Sequence, residues 1–389
     1  MLNSSRSLHV AVGPSLGSLC KIDRDRSVEK MAFIAILFTK QRNSWSFFFL
    51  LVLFQRLVAS SPCLSAAAMV ESTDPFAFRR GLVPTKLGVV HYTAVGPTTV
   101  GPNDKPLPIV GFHMSPRSVD EYKEIMQECS ASGKRLFIAM DEFGYGNSDN
   151  PLKSCTLDDV ADCFLQVLDE LGVSKCVAAG SLMGCYFALS LAARYPDRIS
   201  GVVCTNLYHF QLAAQVKALK EEAVRMYNEA DDKPTPIEDS WELKDDGSHI
   251  NDIFGKRSTW LSTELNTRAT RDNLNYLVKR RERYAQGIHI QDGGAFLLQD
   301  TCAAVKCPVQ CINGASAIQF FDTIGMEMTQ QFEEAIGFFP TKPDVKVLEP
   351  PGSSINMLNE NAKEWYTLVE SFCQAIENEY FTNSRLGWL

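Results

Sequence analysis

The 389-residue chain has no paired C-x-x-C motif and no Cys/His grouping, so its 12 cysteines supply neither a zinc site nor the framework of a small secreted domain. Cys176, Cys204 and Cys311 instead lie in or beside apolar, strand-like runs, where a reduced thiol packs as a small hydrophobe. Clustered positive charge is scarce: 38 Lys and Arg against 46 Asp and Glu leave a formal charge of -8. The only tight basic run, Lys279-Arg280 with Arg281 and Arg283, reads as a solvated helix face, which argues against nucleic acid as a partner. No Walker sequence and no G-x-G-x-x-G fingerprint occurs, no internal repeat is visible, and the sequence implies no metal, nucleotide or redox cofactor. The longest apolar run, Trp45 to Phe54, falls short of the roughly 20 residues that span a bilayer.

What is present is 45% hydrophobic and 22% charged, enough for one large globular domain behind an N-terminal extension of residues 1–80. In that extension Lys40 and Arg42 precede the apolar run and Ser65-Ala66-Ala67-Ala68 follows it, the outline of a signal peptide read from Met31. A signal anchor, an organelle presequence and a start at Met69 are the other readings, and membrane contact is expected only through this segment. Without it the chain reads as cytoplasmic; its oligomeric state is left open.

Strand and helix patterns then alternate. Gly88 to Gly96 predicts a leading strand in an antiparallel pair, with His91 on its surface, and Leu107 to Phe112 a strand buried on both faces. A helix to Ser130, a strand from Arg135 to Met140 and a Gly-rich loop from Asp141 to Asp149 follow. Thr156 and Asp159 make a capping box for a helix through Leu171. Further strands are predicted at Cys176, at Ile199 to Thr205, at Pro308 to Asn313 and at Val345 to Leu348, with a closing helix at 362–377. This is the pattern of a mainly parallel sheet with helices on both faces. Between about residues 207 and 299 the strands stop, predicting a helical cap over the carboxyl edge of the sheet, where Trp241, Trp260, Tyr284 and Phe296 pack helices or line a pocket.

The centre of the pattern is Cys176-Val177-Ala178-Ala179-Gly180-Ser181-Leu182-Met183-Gly184, a strand, a sharp turn and a helix start. Gly180 and Gly184 bracket Leu182 in the manner of G-x-S-x-G, which puts leucine at the tip; the frame one residue earlier would centre Ser181 and put Met183 where a small residue belongs. His113 after a strand, the Asp141–Asp149 loop matching D-x-x-G-x-G-x-S-D, and Gly180–Gly184 followed by Ala192-Ala193-Arg194-Tyr195-Pro196-Asp197-Arg198 occur in order and spacing. Over about residues 85–378 the chain resembles the α/β-hydrolase superfamily, and Met114 to Ser118 is similar to a bacterial subgroup in which His replaces the elbow serine.

The resemblance implies a nucleophile, an acid and a base in that order. Their matching positions here are Leu182, Ala317 and Ser354, and no histidine follows His289. Asp322 is the first carboxylate after the strand that would carry the acid. The sequence therefore predicts a non-hydrolytic member that binds a small, partly apolar molecule or a protein partner. The alternative is an active, esterase-like hydrolase that uses Ser181, or acid–base chemistry by His113, His249 or His289. The resemblance gives His113 a role in anchoring the oxyanion-side loop. The backbone N–H groups around Met114 and Met183, with Ser115 beside them, would form an anion-binding nest. Arg117 is expected to pair with Asp120 or Glu121, or to face an anionic ligand, and His249 and His289 to lie on the surface.

Overall fold

The computed structural model describes residues 77–97, 106–209, 243–258, 261–291, 296–323 and 326–386, with side chains to residue 378, all within the unit Ser72–Leu389. The targeting reading, most of the first half of the expected cap, Trp241 and Trp260 lie outside these residues.

The chain opens with β1 (Arg79–Thr85) and β2 (Gly88–Val95), a hairpin. Next come β3 (Ile109–Phe112), a 3-10 turn (Val119–Tyr122), α1 (Lys123–Ser132) and β4 (Phe137–Met140). The centre is α2 (Leu157–Glu170), β5 (Cys176–Ser181), α3 (Gly184–Arg194) and β6 (Ile199–Thr205). In the described part of the cap stretch lie α4 (Ser248–Gly255) and α5 (Thr263–Ala285), followed by α6 (Leu298–Ala304). The chain then forms β7 (Val309–Gly314), α7 (Ala315–Thr323), α8 (Met328–Gly337), β8 (Asp344–Leu348), α9 (Met357–Glu360) and α10 (Ala362–Leu386). Among the described residues no helix is long and apolar enough to cross a membrane.

The eight strands form one sheet in the order β1-β2-β4-β3-β5-β6-β7-β8. The β1–β2 and β2–β4 pairs are antiparallel, and every later pair is parallel. Short apolar runs such as Ile-Val-Gly-Phe in β3 and Phe-Ile-Ala-Met in β4 are wholly buried because helices cover both faces. On one face Phe112, Phe164 and Phe187 join β3 to α2 and α3; on the other Tyr122, Phe137 and Trp365 join the 3-10 turn, β4 and α10. Helix α2 starts at the capping box, with Asp159 N–H donating to Thr156 Oγ1 (3.1 Å) and Thr156 N–H to Asp159 Oδ2 (3.0 Å).

Two elements were not foreseen. Strand β1 contains Gly81 and Pro84, which disguise it, and it occupies a sheet edge where proline is tolerated. The α7–α8 hairpin follows β7 directly, in a stretch for which no helix was predicted. His91, expected on the strand surface, is buried: the Asp141–Asp149 loop folds across β2, and His91 Nδ1 lies 2.8 Å from Asp141 Oδ2.

Candidate functional site

The turn between β5 and α3 sets the geometry. Leu182 has φ 48°, a left-handed conformation that β5 and α3 together impose on a non-glycine residue. The glycines on either side are sterically obligatory: a Cβ on Gly180 would lie 2.3 Å from Gly184 C, and one on Gly184 would lie 2.0 Å from Phe112 O. The side chain at the tip is thus that of Leu182. It packs against Met114, Tyr208 and Met328, with Ile318, Phe321 and Met326 alongside. Helices α7 and α8 contribute Ile318, Phe321 and Met328, so the hairpin after β7 lays apolar side chains over the elbow.

Ser181, one residue earlier, is the last residue of β5 and fully buried. Its Oγ donates to Glu121 Oε1 (2.9 Å), and the same carboxylate accepts from Met114 N–H through Oε2 (2.7 Å). Half of the expected nest is thereby occupied: the Met114 N–H is engaged with Glu121, while Met183 is the N-cap residue of α3 and its side chain packs beside the core. Glu121 itself was not anticipated at the elbow, being 60 residues from Ser181 in sequence. Burial pushes its carboxyl up to about 7, against opposing effects from Arg117, Met114 N–H and Ser181. Because the folded value lies above the ordinary 4.5, its contribution to stability is fully present below about pH 4.5 and is lost as pH rises through 7. Glu121→Gln is expected to remove this dependence. In urea melts at pH 5 and pH 8, wild type should lose on the order of 2–3 kcal/mol relative to the variant.

His113 has both ring nitrogens occupied. Nδ1 donates to Met114 O (2.9 Å) and Nε2 accepts from Glu142 N–H (3.0 Å), which assigns the neutral Nδ1–H tautomer. Burial lowers its pKa, with Asp141 opposing. Ser115 Oγ meets Tyr145 OH at 2.8 Å. Arg117 does not pair with Asp120 or Glu121. It reaches Asp272 on α5 (Nε to Oδ2, 3.2 Å) and donates through Nη1 to Asn356 Oδ1 (2.9 Å) and Asn359 Oδ1 (3.3 Å). His249, expected at the surface, is buried and accepts from Lys244 N–H (3.1 Å), whereas His289 is exposed beside Tyr284.

The loops that follow β7 and β8 meet. Ala317 is buried in the first turn of α7, and its N–H donates to Ser353 O (2.9 Å). Ser353 Oγ accepts from Ser316 N–H (3.2 Å) and donates to Ser316 Oγ (2.8 Å). Ser354 turns away to Glu360, donating through Oγ to Oε2 (2.7 Å). Asp322 is exposed at the far end of α7 and accepts from Thr329 on α8 (2.7 Å to Oγ1). Among the described residues no group of three or more His, Cys, Asp and Glu side chains converges as metal ligands would.

Residues 108–239 match the family model described as the alpha/beta hydrolase fold. A Mycobacterium phage D29 protein named as a non-heme haloperoxidase is 32% identical over 109 residues, 28% of this chain and 38% of that protein. Mouse (Mus musculus) epoxide hydrolase 4 is 30% identical over 125 residues, 31% of this chain and 32% of its own length. The chain thus spans about a third of the length of these curated relatives. Among solved structures, Est816, titled an N-acyl homoserine lactone degrading enzyme, superposes with a TM-score of 0.54 at 16% identity, covering 75% of this chain and 100% of its own. Its sheet order, its glycine-bracketed elbow and the family-model match over residues 108–239 give this chain the α/β-hydrolase fold.

Proposed function

We propose that this chain is a non-hydrolytic α/β-hydrolase-fold protein that uses the elbow end of its sheet to bind a small, partly apolar molecule. The observation that carries the reading is Leu182 at φ 48°, seated among Met114, Tyr208 and Met328. A hydrocarbon at the tip has no lone pair to attack a carbonyl, and it offers an apolar contact in its place. The rest of the catalytic constellation is missing in the same way. Ala317 stands at the acid position, and the loop at the base position carries Ser353 and Ser354, neither of which takes up a proton near neutral pH.

The competing reading is an active hydrolase, favoured by the retained elbow and by relatives named epoxide hydrolase 4. It would need Ser181 as nucleophile, yet that Oγ is buried and engaged by Glu121. His113 has no ring nitrogen to spare, and His249 already accepts from backbone.

Hydrolysis of p-nitrophenyl acetate, p-nitrophenyl butyrate and styrene oxide by the purified chain tests this. The expected rate is that of buffer plus unspecific protein catalysis, unchanged in Ser181→Ala and His289→Ala. Turnover abolished by either substitution in a folded protein would sink the proposal.

A further inference from the structure

We infer that the ligand of this fold carries a carboxylate, and that its charged end is held between Arg117 and Arg257 where α5 meets the loops of the sheet. The inference rests on the binding reading above and gives that ligand a chemical class.

Arg117 is 2% exposed, and its Nη2 has no hydrogen-bond partner although Nε and Nη1 are fully engaged. Arg257, in the turn after α4, donates through Nη2 to Asn273 Oδ1 (3.1 Å), and its Nη1 is buried without a partner. Burial holds the Arg257 guanidinium down to about 10, and Arg117 is close enough to lower it further, with Asp272 opposing. Arg117 bonds to Asp272 and Arg257 to Asn273, adjacent residues of α5, so two unmatched cationic N–H groups sit in one neighbourhood.

The charges around them do not balance. Asp272 is the one carboxylate bonded to Arg117, and its other oxygen accepts from Arg271 (2.9 Å), which also pairs with Asp120. Glu121, which also faces Arg117, is pushed by burial toward its neutral form. The remaining acceptors, Asn356, Asn359 and Asn273, are amides that take a hydrogen bond and bring no negative charge. Among the described residues no carboxylate hydrogen-bonds to Arg257, so the two guanidiniums share the charge of Asp272. An unpaired buried guanidinium is costly, and a planar two-oxygen anion matches its donor geometry. The apolar part of such a molecule has its contact nearby: Arg117 N–H bonds to Met114 O (2.8 Å), and Met114 packs on Leu182. The geometry fits an amphipathic carboxylate, its head at the arginines and its chain toward the elbow tip.

Calorimetric titration of the full chain with sodium octanoate, 1-octanol and methyl octanoate provides the test. Octanoate is expected to bind about tenfold or more tightly than either neutral molecule. Arg257→Met, chosen because Arg117 is tied into the packing through Asp272, should lose that advantage and leave octanol affinity unchanged. Asn273→Asp, which supplies a carboxylate from the protein, should weaken octanoate similarly. Octanol binding as tightly as octanoate would overturn the carboxylate site while leaving the binding reading intact, as would full octanoate affinity in both variants. No binding of any of the three would overturn the site, and cleavage of methyl octanoate that depends on Ser181 would overturn the binding reading itself.

Discussion

Gly184→Ala is expected to destabilise the protein by about 3 kcal/mol or more, or to prevent its accumulation as a folded chain. The added methyl would meet Phe112 O at 2.0 Å, Phe112 C at 2.6 Å and His113 O at 2.9 Å. These are backbone atoms at the end of β3, and β3 pairs with β5 through Phe112 and Gly180. Relief would require α3 to move away from the sheet, breaking the packing of Phe187 on Phe112. The control is Gly337→Ala, the last residue of α8, where an added Cβ meets nothing within 4 Å. That change should be neutral or stabilise by roughly 0.5–1 kcal/mol. Urea melts of the two variants give the comparison, and equal effects would refute the steric account of the elbow.

The second large effect is expected at Arg135, which is 1% exposed and fixes α10 to the start of the sheet. Its Nε and Nη2 donate to both oxygens of Glu370 (2.8 and 3.0 Å), while Nη1 donates to Glu377 Oε1 (2.7 Å) and to Leu107 O. Arg135→Met keeps much of the volume but leaves two carboxylates facing each other without their cation, a change worth about 3–5 kcal/mol. Its pH dependence identifies the cause. Burial alone would raise the Glu370 carboxyl, but hydrogen bonding to Arg135 holds it below its ordinary 4.5. The stabilisation is therefore present above about pH 4.5 and lost as pH falls through the lower, folded value. The stability gap between wild type and variant should narrow as pH falls below about 4.5; a constant gap would assign the loss to packing instead.

Sequence reading reached the parts of this molecule that are local or periodic. The capping box of α2 spans four residues, and the strands flanking the elbow are short apolar runs bounded by glycine and polar residues. The two glycines around Leu182 could be placed for the same reason, since the steric demand is made by residues four apart and by one neighbouring strand. What escaped was set by partners distant in sequence. Glu121 meets Ser181 across 60 residues, and Arg117 chooses Asp272 across 155 in preference to acidic neighbours three and four positions away. His91 looked solvent-facing because alternation in β2 says nothing about a later loop that covers it. Helix α7 was hidden because Gly314-Ala315-Ser316-Ala317 reads as a loop until the backbone of Ser353 is there to receive Ala317 N–H.

The Arg135 junction also orders events during synthesis. Leu107 N–H donates to Glu377 across 270 residues and waits for α10, while Leu107 O accepts from Arg135, whose own carboxylate partners Glu370 and Glu377 also lie on α10. A growing chain made N-terminus first has β3 and β4 available long before Glu370 and Glu377 emerge. Until then the sheet face bearing Phe137 and Tyr122 lacks Trp365 and stays open to water and to other chains. The nascent protein therefore carries a long interval in which its central strands are made but unsealed, and ribosome-bound fragments ending before residue 365 should depend on chaperones in a way that the released chain does not.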